Sequence, residues 1–341
     1  MRGLVLAILA SLSLVQGNVF TVDLAQLAVE RLDPIVFNGQ SPEGHVHSIC
    51  GASGFSKTGT FGELIGSSCT TGNVKKDLSN YWVPALYVKK PNGEFHYVPA
   101  YFSVYYKLIN ECCQTTPPGG TNPIQPGSIH SFPDGFKMIA GGSGSTGPWQ
   151  GGGIVNHKCM GPFIDTPDFP ANPEQCTGGI RAEVSFPSCW DGINLDSQPH
   201  HNSHVAYRVG GHWEGGPCPD SHPYMMPTVF VEAHYHTQDI YQPGDQLTYS
   251  QVDYVGHGFH ADFLNGWQPG IMDQLIEYCT YTANQENFCN ADNIAGRYGG
   301  PDASCVWHGE SSGDFDGIYN SLPPCGAGCS GYSAPANNTA P

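Results

Sequence analysis

The sequence predicts a mainly β protein, a sandwich or jelly-roll-like fold with long loops, few short helices and disulfide staples. Three observations carry that reading. Many short strand-like runs lie between turn signals. The chain is rich in loop formers, with 44 Gly and 28 Pro. It also holds 13 cysteines in 341 residues, enough to fasten loops that a core alone would not order.

Taken in order, MRGLVLAILASLSLVQG has one Arg, an apolar run from Leu4 to Leu14 and small residues before Gly17. That is the layout of a secretory signal peptide, too short for a membrane span. Residues 18–281 then read as one β-rich domain. VDLAQLAVERL (22–32) has apolar positions at helical spacing with Asp23 as N-cap, so a helix is expected there. YWVPALYVKK, PNGEF and FHYVPAYFSVYYKL read as a hairpin around Asn92-Gly93. Further strands are expected in GIRAEVSF, HVAYRV, TVFVEAHYH and DQLTYSQVDY, with a second helix in GIMDQLIEYCTY (270–281). Gly- and Pro-rich loops fill 115–128 and 141–153. From Cys279 the texture changes, and 282–341 reads as a Cys-rich extension ending in a disordered tail that carries the sequon at Asn337.

Charge narrows the partners. Cleavage removes Arg2, leaving 12 basic residues against 30 acidic ones, a net −18. Such a surface repels nucleic acid and anionic membranes, and no later segment is long and apolar enough to span a bilayer. An exported protein that works at mildly acidic pH fits. Export makes disulfides the default use of cysteine, and an odd count leaves at least one thiol over. Neighbouring pairs are Cys50 with Cys69 and Cys325 with Cys329, although spacing does not fix connectivity.

Chemistry-bearing residues gather in a few segments. GHVHSIC places His45 and His47 on one face if extended, with Val46 opposite. Neutral imidazole is a common ligand for zinc and copper. His45 and His47, joined by His204 or His260, are therefore a metal hypothesis; hydrogen-bonded structural histidines are the plain alternative. His234 and His236 repeat the spacing in VEAHYHTQ. The window VSFPSCWDGINLDSQPHHNSHVAY (184–207) adds Asp191, Asp196, His200, His201 and His204, and GHGFHADFLNGW adds His260 and Asp262.

Carboxylates and aromatics suggest sugar chemistry. Glycoside cleavage needs a proton donor and a base or nucleophile opposite, usually a carboxyl pair. Asp33, Asp191, Asp196 and Asp262 are the candidates, with Asp196 and Asp262 preferred as acid and base, and His204 and His260 assisting. Trp82, Trp190, Trp267, Tyr81 and Tyr87 offer flat faces for sugar rings. Each has a structural alternative. Trp190 follows Cys189 and can pack on a disulfide; Asp191 before Gly192 and Asp33 before Pro34 suit turns. His200 and His201 read as exposed and incidental.

RLDPIV, GHVHSICGASGF, DLSNYWVPALY, RAEVSFPSCWDGINLDS, SHVAY and GFHADFLNGW together resemble one family. It is the mostly fungal secreted domain of unknown function numbered nineteen ninety-six, sometimes found beside WSC-type carbohydrate-binding domains. The resemblance covers roughly residues 29–281. It implies a fungal extracellular or wall-associated protein and hands over no reaction. The family's usual polar positions fall on Arg31, Asp33, His45, His47, Asn80, Trp82, Asp191, Asp196, His204, Tyr207, His260 and Asp262. Two stretches depart from the pattern: SSCTTG lacks a second Cys, and SQPHHNSH carries a one-residue insertion and lacks a Lys. The expectation is a secreted protein acting on cell-wall or plant polysaccharide, a hydrolase or lyase. The alternative is a non-catalytic wall protein whose histidines hold zinc or copper.

Overall fold

The computed structural model describes residues 18–108, 129–148, 154–209, 216–279 and 288–324. The segment expected to be a signal peptide, residues 1–17, and the sequon tail lie outside these residues, as do Cys112, Cys113, Cys325 and Cys329.

Two antiparallel sheets form the body of the fold. The larger runs in the order Val19–Leu24, Ala100–Lys107, Thr228–Tyr235, Ile180–Ser185, Val155–Cys159 and Ile164–Thr166. Alternation along these strands sends every second residue inward. Val22, Val104, Val231, Val184 and Val155 therefore stand abreast as a single row of buried valines. The outward residues are polar: Arg181 bridges Glu183 at 2.5 Å and Glu232 at 2.9 Å.

The second sheet runs Gln26–Glu30, His47–Gly51, Asn80–Pro84, His260–Leu264 and Lys137–Gly141. Its inward face gives Cys50, Tyr81, Val83, Phe263 and Ala140 to the shared core. Tyr81 and Tyr106 hydrogen-bond through their hydroxyls across that core, and Tyr235 donates to the Pro84 carbonyl at 2.7 Å. The fold is thus a mainly β sandwich, as its short-strand patterning implies.

The second sheet is buried on its other face too. Ile49, Trp82, Ile139 and Leu264 meet Leu32, Ile35, Phe55 and Leu64 in a smaller core. The 31–79 segment that supplies this cover is mostly loop, with one short helix at Phe61–Ile65. Thr60 and Glu63 close that helix's N-terminus with a capping box.

A four-stranded sheet (Gln246–Tyr249, Leu86–Lys89, Phe95–Val98, Ile318–Tyr319) extends one end of the molecule. The expected hairpin is there, with Lys89 paired to Phe95 around Gly93, whose φ is 95°. The helix expected near 270–281 spans Ile271–Tyr278 and buries Ile271, Met272, Leu275 and Ile276.

Two sequence expectations need correction. Residues 22–32 form no helix: Val19–Leu24 and Gln26–Glu30 are strands in different sheets. A register shift between Gln26 and Ala28 breaks the strict two-residue alternation, and the broken pattern imitates helical spacing. Cys50 does not pair with Cys69. It points into the shared core as a buried free thiol, and Cys69 joins Cys305 instead. The other bonds described are Cys159–Cys176, Cys189–Cys218 and Cys279–Cys289. Over 288–324 the Cys-rich segment packs against the sandwich. Arg297 bridges Val74, Ile318–Tyr319 adds to a sheet, and Tyr87 donates to the Phe315 carbonyl at 2.8 Å. Among the described residues no helix is long and apolar enough to cross a membrane.

Candidate functional site

Register decides what the outer face of the five-stranded sheet presents. Ile49, Trp82, Asp262 and Ile139 lie abreast on four neighbouring strands. Two residues along, on the same face, are His47 opposite Pro84, and His260 opposite Gly141. His45 precedes the strand and folds over this row. Gly141 has φ 83°, and a Cβ there would meet the Phe259 carbonyl at 2.5 Å and the His260 Cα at 2.7 Å. Only glycine lets the neighbouring strand come that close to His260.

Three imidazoles converge at this level. The ring centroids of His45 and His47 are 4.2 Å apart, His45 and His260 4.9 Å, and His47 and His260 5.9 Å. One ring nitrogen from each lies within 4.8 Å of the others. His47 Nδ1 donates to the Leu32 carbonyl at 3.2 Å, and His260 Nδ1 to the Gly258 carbonyl at 2.8 Å. A carbonyl can only accept, so in each neutral ring the Nε2 is left as a bare lone pair. The Gly258 carbonyl also takes Gln251 Nε2 at 2.9 Å, while Asp253 Oδ2 accepts the Gly258 amide at 2.7 Å. Burial, reinforced by the neighbouring imidazoles, holds His45 and His47 well below the usual histidine range. His260 is lowered to about 4, again mainly by burial.

A carboxyl pair stands beside the imidazoles. Asp262 is 1% exposed, its Oδ2 has no hydrogen-bond partner, and burial raises its pKa well above the usual value, with Asp33 adding to the shift. Asp33 is buried as well, but its Oδ1 accepts the amides of Ile35 and Val36, both at 3.0 Å. Burial raises Asp33, and those amides, His201 and Lys137 pull it back. One carboxyl has donors and the other has none, so the two environments differ.

Asp196 sits at the rim of this group. Its Oδ1 accepts His201 Nδ1 at 2.7 Å and its own neighbour's amide, Ser197 N, also at 2.7 Å. Burial alone would raise Asp196; His201, the Ser197 amide and His204 together outweigh it and the pKa is lowered. His201 is 1% exposed, which corrects its reading as exposed and incidental. His204 is saturated, with Nδ1 on the Ser197 hydroxyl and Nε2 donating to the Lys137 carbonyl, both at 2.8 Å. It is therefore no third partner for His45 and His47; His260 is. Lys137, half-buried, influences Asp33 and Asp196 electrostatically. A lysine thus reaches this place from a strand far along the chain, although SQPHHNSH lacks one.

The remaining residues have structural work. Asp191 accepts the Ile193 and Asn194 amides at 2.8 and 2.9 Å and caps a turn. Asn80 Nδ2 ties the Cys50 and Ala52 carbonyls. Trp82 and Tyr87 are 0% exposed, Trp267 3% and Tyr207 6%. Trp82 packs edge-on to Phe55, Trp267 against Phe20 and Tyr106, and Tyr207 donates to the Ser185 carbonyl. None of these rings leaves a face open for a sugar, which corrects their assignment as stacking platforms. Trp190 packs against Phe136 and Tyr224 beside the Cys189–Cys218 bond. Arg31 Nε donates to the Gly44 carbonyl at 3.1 Å, and its charge acts on His45.

Sequence reasoning missed Lys137, His201 and the Gln251–Asp253 support of His260. Only the last left a trace, in the Asp-x-x-Gly turn pattern of DYVG.

These features define a β-sandwich protein with a buried histidine–carboxyl centre on one sheet face. The chain belongs to the family described as Domain of unknown function (DUF1996), which matches residues 33–267. No curated protein and no solved structure matches it.

Proposed function

We propose that this is a secreted protein of fungal type that cleaves a cell-wall or plant polysaccharide, as a hydrolase or lyase, through acid–base chemistry at this centre. One observation carries the reading. Asp33, His45, His47, His260 and Asp262 come from three separated segments and meet on one face of one sheet. A fold gains nothing in stability from burying polar atoms without partners, as at His45 Nε2, His47 Nε2 and Asp262 Oδ2. Each unpaired buried polar group costs about 1–3 kcal/mol, so such gatherings mark functional sites.

The roles follow from the surroundings. Asp262 lacks donors and serves as the proton donor to a leaving oxygen. Asp33, held by two backbone amides, is the base or nucleophile opposite. Asp196 is replaced by Asp33 in that second role, because Asp196 is engaged by His201; it positions His201 toward Asp33. The disulfides and the acidic surface suit work outside the cell.

The test is turnover. The purified protein is incubated with a panel of fungal and plant wall glycans from about pH 4 to pH 7, and products are read by mass spectrometry. Shorter oligosaccharides are expected from the wild type and not from Asp33→Asn. A panel that yields no product overturns the reading.

A further inference from the structure

We propose that His45, His47 and His260 bind one divalent transition-metal ion, zinc or copper. The inference goes beyond glycan cleavage and does not depend on it.

Four observations converge. First, one nitrogen of each ring already lies within 4.8 Å of the other two. Bonds of about 2.0–2.1 Å in a tetrahedral arrangement place ligand nitrogens about 3.3 Å apart. Small ring rotations close that gap, and a cation offsets the repulsion between lone pairs. Second, the Nε2 atoms of His45 and His47 are buried and have no hydrogen-bond partner. Buried ring nitrogens normally find one.

Third, the outer contacts are those a ligating imidazole uses. His47 and His260 each give Nδ1–H to a backbone carbonyl, Leu32 and Gly258, which fixes the tautomer and aims Nε2 away. The loop under His260 is itself held by Asp253, which accepts the amides of Val255, Gly256 and Gly258. Fourth, strand order sets His47 and His260 on the two strands that flank Asn80–Pro84, with His47 paired to Pro84 and His260 to Gly141. These are the features of a built site rather than of three incidental side chains.

The donor set selects the ion. Three neutral nitrogens suit zinc or copper, whereas calcium and magnesium require oxygen ligands. Three protein ligands leave a coordination position open for water or another ligand. Asp262 follows two residues after His260 on the same face, about 7 Å along the strand.

The test uses the full-length secreted protein without a polyhistidine tag, purified without chelator. Mass-spectrometric metal analysis is expected to give about one zinc or copper per chain. After chelation, adding Zn²⁺ or Cu²⁺ alone is expected to restore that stoichiometry and raise the thermal midpoint; the two ions are compared by competition. Substituted Co²⁺ should give visible absorption bands of nitrogen coordination. Removing one ligand, in His45→Ala, is expected to weaken affinity by more than about 100-fold, the upper range seen for outer contacts. His45 has no hydrogen bond to lose, so this variant should fold; near-ultraviolet circular dichroism checks that. His234→Ala is the control and should bind as the wild type does. The proposal falls if wild-type protein, loaded with either ion, retains under about a tenth of an equivalent and shows no thermal shift. It falls equally if a folded His45→Ala binds as tightly as wild type.

Discussion

The chain contains two His-x-His pairs, and they have different fates. His45 lies just before the strand His47–Gly51 and His47 begins it, and a third imidazole, His260, arrives from the strand beyond Asn80–Pro84. His234 lies near the end of the strand Thr228–Tyr235, on the outer face of the larger sheet, and His236 follows just past it. There His234 stacks on Tyr101 with centroids 4.3 Å apart and lies 3.4 Å from Glu232. His236 is 3.6 Å from Asp239. The spacing is identical and the neighbours decide. On the outer face a carboxylate lies within 3.4–3.6 Å of each ring, although His234 Nε2 makes no hydrogen bond; at the five-stranded sheet the rings are left facing one another.

The contrast can be broken in several places, the largest expected effect first. Asp262→Asn should lower glycan turnover by about 10²–10⁴-fold, the range for loss of a general acid, and His236→Ala should leave it unchanged. Initial rates on the best substrate of the panel measure both. Equal rates for Asp262→Asn and wild type would remove the carboxyl from the mechanism.

Trp82→Ala tests whether that ring is core or platform. It should destabilise the fold by about 3–5 kcal/mol, as expected for an aromatic deleted from a close-packed interior. Urea unfolding would show it, and a midpoint unchanged from wild type would contradict the core placement.

The shared core holds a smaller, pH-dependent effect. Asp77 is buried, accepts the Tyr81 hydroxyl at 2.9 Å and the Ser79 amide at 3.0 Å, and is raised to about 6, mainly by burial. A raised carboxyl binds its proton more tightly when folded. Its contribution is therefore fully present below about pH 4 and is lost as pH rises to about 6. Raising the carboxyl to about 6 corresponds to about 3 kcal/mol as an upper figure. Wild type minus Asp77→Asn stability should fall across that window and be flat above it. Denaturant titrations at several pH values would reveal a slope of the opposite sign if the assignment were mistaken. Smallest of all, His236→Ala should change stability by under about 0.5 kcal/mol.

The sequence discloses these regions unequally. The β class is legible because the larger sheet is wet on one face, so Val22, Val104, Val184 and Val231 alternate with polar residues. The five-stranded sheet is dry on both faces, and its strands read as near-continuous apolar runs that hide which way Trp82 points. The tryptophans therefore looked like sugar platforms when they are packing. His45, His47, Asp33, His260 and Asp262 stand out by type, but their meeting depends on register across three strands, which one chain does not reveal. Lys137 and His201 reach the site through contacts distant in sequence or behind an insertion. The strand at 26–30 reads as helix in the sequence because its register shift mimics helical spacing.

The last described segment has a consequence for how the molecule is made. Glu30, in the strand beside His47, is capped by Ser311 and Ser312, and Cys69 waits for Cys305. The opening strands pair with Ala100–Lys107 and His47–Gly51, but Glu30 and Cys69 gain these last partners only once the far end of the chain has been made. A fragment trimmed to residues 33–267 would leave Ala100–Lys107 and His47–Gly51 with bare edges, the kind of surface that aggregates.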